Sequence, residues 1–343
     1  MNTDFLAPDD PRWIQVLDVT DHDIYHRPEY VRACAGHEGG EPVAFYASTG
    51  DDAFLLPLLV RPLPHPVRDA SARDAASPYG YPGPLCTTPN TSDFWTAFEA
   101  AARKYGLVSI FLRLNPLLPS CREGLPTAWA VVEEGPTVVV DCTHSLEALW
   151  DDTRAGHRSD INRLNRHDYQ VTFDEPEALD VFVRLYTQTM ERVGADPTYV
   201  FDTSYYHTWT DELAPYGHLV LVRSASGTPA AAGIFTDCNG RMQYHLSGTD
   251  AGHRDFAPSK LMLHEVRTWA HREGRHTVHL GGGLGGAIDS LFAFKAGFSS
   301  ERAAFRSVRI VINAGRYDDA CTAAGVDVPA SPADGFFPAY RSR

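Results

Sequence analysis

One order of elements occurs twice along this chain, which constrains it more than any single motif does. Residues 92–116, SDFWTAFEAAARKYGLVSIFLRLNP, and 259–283, SKLMLHEVRTWAHREGRHTVHLGGG, follow one pattern. Each opens on a serine, runs through apolar residues three and four apart, reaches a glycine and then feeds an apolar run. The pattern predicts a helix capped at Ser92 or Ser259, ended at Gly106 or Gly274, and continued as a strand. A second match, VAFYASTGDDAFLLPLLV (43–60) against LVLVRSASGTPAAAGIFTD (219–237), predicts a strand pair ahead of each helix.

Further elements fill in the two halves. The first half reads as a helix at His26–Gly36, strands at Pro42–Ala47 and Ala53–Arg61, and a proline-rich crossing at Pro62–Pro84. The second reads as helices at Glu177–Val193 and Thr203–Ala214, then strands at His218–Ser224, Ala230–Asp237 and Arg241–Ser247. Periodicity therefore predicts an α/β chain, α+β in the sense of mixed sheets, with one sheet in each half. Its 343 residues suit two domains, each with its own core. We place them at 1–145 and 146–343, joined between Glu133 and Arg154.

Composition narrows the function. A net charge of −14 argues against broad, non-specific nucleic-acid binding while leaving room for a local basic groove. No window holds 18 uninterrupted apolar residues, and the N-terminal MNTDFLAPDDPRW lacks the basic and apolar regions of a signal peptide, so a cytoplasmic protein without a membrane span is expected. Cys34, Cys86, Cys121, Cys142, Cys238 and Cys321 form no CxxC pair and read as reduced and mostly buried. Only three of the 30 basic residues are lysines, Lys104, Lys260 and Lys295, which singles out a retained lysine as a candidate for chemistry.

Three segments carry a family resemblance. They are Arg158-Ser-Asp-Ile161-Asn-Arg163, the run LVLVRSASGTPAAAGIFTD followed by MQYHLSGTD, and LFAFKAGFS with Phe294-Lys295 and Gly297-Phe298. On these the chain resembles the FemABX-type peptidyltransferases, in their FemX-like form, and the doubled element order is similar to that of tandem GNAT acyltransferase domains. The resemblance implies transfer of an amino acid from the 3' end of an aminoacyl-tRNA to an amine, with Lys295 near the reacting carbonyl. Amine attack on an ester builds negative charge on the carbonyl oxygen, and a fixed ammonium aimed at it is worth about 3–4 kcal/mol of barrier. Phe294 and the basic Arg158 are expected to bind substrate beside it.

The acceptor half departs from the cell-wall members. In place of their Arg-Gly-Pro stretch and following aspartate stands Tyr79-Gly-Tyr81-Pro-Gly83-Pro84-Leu-Cys86-Thr87. This favours a small-molecule amine, such as a small metabolite, over a cell-wall precursor as acceptor, with Tyr79 and Tyr81 lining its pocket or merely packing a loop. Ordinary GNAT enzymes hold the CoA pyrophosphate on backbone N–H groups of a glycine-bearing turn before a helix. Here that turn is Arg254-Asp-Phe-Ala257-Pro258-Ser259, and Pro258 has no N–H. Acyl-CoA therefore stays the alternative donor, and a non-catalytic binding protein on the same fold the third reading. No bound cofactor is expected.

The cluster Gly281-Gly-Gly283-Leu-Gly285-Gly286 formally contains GxGxxG, yet it lies too late in the chain for a dinucleotide fingerprint. It reads as a turn setting a short helix at Ile288–Ala296, with Gly282 and Gly283 either contacting a donor phosphate or simply forming the turn. Asp289, His245 and His279 are candidate general bases, and Tyr244, beside His245, lies where GNAT folds bind the acyl donor along a splayed strand edge. His264, His271, His276 and His279 lack HExxH, so no metal site is expected. Arg154, Arg158, Arg163 and Arg166 recur at near-helical spacing, as a phosphate-facing stripe or as a face neutralised by Asp151, Asp152, Asp160 and Asp168.

Overall fold

A computed structural model describes residues 1–67, 71–118, 121 and 124–342. The chain opens with β1 (Asn2–Leu6), α1 (Pro11–Val19), α2 (Pro28–Glu38), β2 (Glu41–Thr49), β3 (Asp52–Pro62), β4 (Arg73–Ala76), β5 (Leu85–Cys86), α3 (Ser92–Lys104) and β6 (Leu107–Leu114). After β7 (Ala130–Asp141) come α4 (Leu146–Asp152), α5 (Ala155–Arg166), β8 (Gln170–Phe173), α6 (Ala178–Val193) and α7 (Thr203–Thr208). Then follow β9 (Gly217–Arg223), β10 (Pro229–Cys238), β11 (Arg241–Thr249), α8 (Pro258–Arg272), β12 (Thr277–Gly281) and α9 (Ser290–Lys295), before β13 (Arg302–Val311) and α10 (Ala314–Ala324). None of these helices is long and apolar enough to cross a membrane.

Two compact units result, Met1–Glu134 with Phe305–Arg343, and Gly135–Ala304. In the first the strand order is β1-β2-β3-β4-β6-β13, with β5 on β3. In the second it is β7-β12-β11-β10-β9-β8. Each unit has one parallel pair joined through a helix, β4 with β6 through α3 and β11 with β12 through α8. The doubled element order seen in the sequence is thus present as a doubled topology.

The division differs from the expected 1–145 and 146–343, because strands are exchanged between the halves. The end of the first half supplies β7, whose Val138–Asp141 stretch lies antiparallel to β12. The end of the second half supplies β13, whose Arg306–Val311 stretch pairs with β6 and buries Val308, Ile310 and Ile312 in the first core. Such pairing follows from apolar alternation matched at long range, which no local pattern announces.

Local chemistry explains most helix ends. Gly106 at φ 85° and Gly274 at φ 70° follow α3 and α8 in the conformation that stops a helix cheaply only with glycine. The serines are not the caps, however. Thr91 occupies that position for α3, and Ala257, at φ 55°, does so for α8 with Pro258 as the first helical residue. Cys86 and Cys121 also depart from the reading of reduced cysteines, since they form a disulfide in the first unit, while Cys34, Cys142, Cys238 and Cys321 are buried thiols. Their separation of 35 residues hides the pairing from the sequence.

Candidate functional site

The parallel strands at the centre of the second unit open a gap. β11 and β12 pair from Arg241 and Thr277 to Gln243 and His279, and beyond that β11 runs on to Thr249 and β12 to Gly281. A register shift on the other side of β11, from Leu246 opposite Ile234 to Tyr244 opposite Phe235, leaves His245 as an extra residue. That bulge turns the second half of β11 and helps part the strands. Gaps at the carboxyl ends of parallel strands are where open α/β sheets hold ligands.

Lys295 reaches into this opening from α9. Its Nζ donates to the Gly282 carbonyl at 2.7 Å and lies 5.8 Å from the centre of the Tyr244 ring. The side chain is only 9% exposed. Burial pushes its pKa down to about 8, with Asp289 pulling the other way. A desolvated ammonium on a carbonyl and an aromatic face is a concentrated positive charge with water largely excluded, which strengthens any interaction with a nearby oxyanion.

The glycine-rich turn ahead of α9 sets this geometry. Asp289 caps α9, its Oδ1 accepting from Phe292 N at 2.8 Å and its Oδ2 from Leu284 N at 3.0 Å. Those N–H donors hold its carboxylate below its ordinary pKa, so Asp289 acts here as a cap, poorly suited to take a proton. A Cβ at Gly283 would lie 2.1 Å from the Ala287 carbonyl and 2.4 Å from Asp289 Oδ1, so the turn closes only around glycine. Gly282 contributes the carbonyl under Lys295.

Of the histidines, His245 is buried, with Nε2 2.6 Å from the Tyr205 hydroxyl and its ring 4.8 Å from that of Trp209. Burial lowers its pKa to about 3. His279 donates from Nδ1 to Gln243 Oε1 at 2.6 Å, and burial and then Lys295 lower it to about 3. Both rings are therefore neutral near pH 7. The Tyr244 hydroxyl pairs with Ser247, and burial raises it to about 12.

Not every expected site residue gathers here. Lys295, Tyr244, Gly282, Gly283, Phe294 and Asp289 are brought together around α9. Arg158 is instead engaged with the end of α4, donating to the Trp150 and Asp151 carbonyls at 3.3 and 3.0 Å. Tyr79 and Tyr81 lie in the first unit, where the Tyr79 carbonyl accepts from Tyr30 and the Tyr81 ring packs on Tyr25 and Phe305. In the first turn of α8, the Lys260 N–H already donates to Ala257 O at 2.9 Å. The arginine stripe on α5 is partly neutralised, since Asp160 pairs with Lys260 at 2.5 Å and with Arg163 at 3.3 Å. Asp141, His144 and Glu301 bring potential ligand atoms within 4.8 Å of one another, with two of the three exposed and Asp141 already hydrogen-bonded to Thr143. His157, Gln243 and Tyr205 were not legible as site residues, because each is placed by partners distant in sequence.

Residues 151–295 match the family described as Acetyltransferase (GNAT) domain. Solved structures are similar over nearly the whole chain at low identity. FemX matches with a TM-score of 0.68 and 11% identity, over 93% of this chain and 99% of that one. The C-terminal domain of a protein assigned as a lysylphosphatidylglycerol synthetase from Agrobacterium fabrum matches at 0.58 and 14%, over 92% and 95%. L-PGS from Bacillus licheniformis matches at 0.57 and 14%, over 88% and 92%. No curated protein sequence matches the chain. The chain has a FemX-like GNAT fold, and its second unit carries the acetyltransferase-type segment with Lys295 at that segment's end.

Proposed function

We propose that the protein is an acyltransferase that moves an aminoacyl group from the 3' end of an aminoacyl-tRNA to a small-molecule amine. The amine nitrogen attacks the ester carbonyl and forms the new C–N bond, the C–O bond to the ribose then breaks as the tetrahedral intermediate collapses, and the proton lost by the amine passes to the leaving ribose oxygen. Lys295 is the donor to the oxyanion of the tetrahedral intermediate. The observation that carries this reading is the buried Lys295 ammonium in the opening between β11 and β12, held by the Gly282 carbonyl and the Tyr244 face.

Two further observations favour an aminoacyl ester over a CoA thioester. The first turn of α8 offers no N–H from Pro258, and that of Lys260 is already taken. The similar structures also include one assigned as a synthetase of lysylphosphatidylglycerol, a product that carries an aminoacyl group. Asp289 is held by two backbone N–H groups, and burial lowers His245 and His279 to about 3, so each is a weak base, and proton transfer within the substrates supplies the step instead.

The test is incubation with charged tRNA and a panel of amines, with and without ribonuclease. Amide formation abolished by ribonuclease is expected, together with a drop of about 10²–10³-fold in kcat for Lys295→Ala. Product that forms with acyl-CoA and survives ribonuclease overturns the donor. Full turnover by Lys295→Ala overturns the role of the lysine.

A further inference from the structure

Lys295 sits on a helix of six residues, too short to hold its own register in water. Something outside α9 must fix it, and the last carbonyls of a helix are the groups left without internal partners. The start of α5 holds one carbonyl of the last turn of α9, that of Phe294, which also accepts from Gly297 N at 3.2 Å, and a second, that of Gly297, just past the helix. His157 Nε2 lies 2.8 Å from the Phe294 carbonyl, and the backbone N–H of Arg154 donates to the Gly297 carbonyl at 2.9 Å. These contacts bracket Lys295 on both sides.

The first contact is specific in chemistry as well as position. A backbone carbonyl can only accept, so His157 must carry its proton on Nε2. Nδ1 is then the acceptor, and it faces Arg154 Nη2 at 3.4 Å. The ring is 1% exposed and packs against Phe298 at 4.9 Å and Phe294 at 5.7 Å. A Cβ at Gly297 would stand 2.4 Å from Nε2, so the backbone of the Gly297-Phe298 ending comes close enough only as glycine. A role in packing alone would be met by an apolar ring; burying an imidazole there makes sense for its N–H.

We propose that His157 is the positioning residue of the reaction centre, its Nε2–H fixing the last turn of α9 so that the Lys295 ammonium rests on the Gly282 carbonyl in the strand opening. The proposal rests on the reading of Lys295 as oxyanion donor. It also gives the segment from Arg154 to Arg163 a mechanical part in the site. A displacement of about 1 Å at a reacting group is enough to cost about 100-fold in rate.

The chain's three lysines make the test direct, because lysine labelled at Cε gives three signals and Lys295→Arg assigns one of them. Lys295 is followed by its titration and, separately, by kcat and KM with charged tRNA and amine. In His157→Phe, which keeps the volume and removes the donor, the Lys295 signal is expected to move from a titration near 8 toward that of an ordinary lysine, with kcat down about 100-fold and KM within a few-fold. In His157→Gln, whose amide can reach the carbonyl, both are expected to return toward wild type. An unchanged Lys295 titration in folded His157→Phe overturns the proposal. If that variant does not fold, Gln is compared with the shorter Asn: retention in Gln and displacement in Asn support the proposal, and identical titrations overturn it. A shifted Lys295 signal combined with full turnover by Lys295→Ala leaves the positioning intact and removes the catalytic reading instead.

Discussion

A lysine held near pKa 8 is poised between two chemistries, and its sign of action follows from which form works. As an oxyanion donor Lys295 is needed as the ammonium, which is about nine-tenths of the population at pH 7. The rate is therefore expected to fall as pH rises through about 8, roughly tenfold per unit beyond it, when kcat is measured against pH. Lys295→Arg should remove that limb, since a guanidinium stays protonated throughout the range, although its planar fork fits the Gly282 carbonyl less well and lowers kcat. An alkaline limb that persists unchanged in the arginine variant belongs to some other group, such as the attacking amine.

Between elements, one imidazole ties several pieces of the second unit together. His218 on β9 gives Nδ1 to Asp174 Oδ2 at 2.8 Å, its Nε2 lies 3.8 Å from Asp237 on β10, and its ring leans on Trp269 of α8 at 4.8 Å. Burial works against the charged form, but the two carboxylates outweigh it and hold the pKa at about 9. Because this lies above the unfolded value of about 6.5, the stabilisation is complete below that pH and fades as pH rises through 9. His218→Gln is expected to cost on the order of 1–2 kcal/mol at pH 6, read as a few degrees in Tm. The gap should close by pH 10, and a gap that stays constant with pH would sink the assignment. The sequence showed the elements involved here well, because α6, β9, β10, β11 and α8 carry their own periodicity and their own glycine stops. It showed α5 only as recurring arginines, and β13 not at all. Lys295 was legible from its rarity and its phenylalanine and glycine neighbours, whereas His157 was not, since its partner Phe294 lies 137 residues away. The Cys86–Cys121 link was hidden for the same reason: contact between distant segments leaves no local trace.

At the scale of the molecule, the exchanged strands make the first unit depend on the chain's last residues. Val308, Ile310 and Ile312 are almost wholly buried there, and burying each is worth about 1.5–3 kcal/mol, together comparable with the whole stability of an ordinary domain. A chain ended at Ala304 is therefore expected to lose the first unit while keeping the second. Hydrogen exchange checks this: amides of β2, β3 and β6 should lose protection, while those of β9, β10 and β11 retain it. Equal protection in both units would overturn the dependence. The same nesting sets an order of events on the ribosome. The first 134 residues emerge before their closing strand exists, and the second unit can fold while they wait. The strand that completes residues 1–134 is thus made only after the second unit, so a nascent chain stalled or clipped at Ala304 carries its Lys295 segment on the same chain as an unfinished first core.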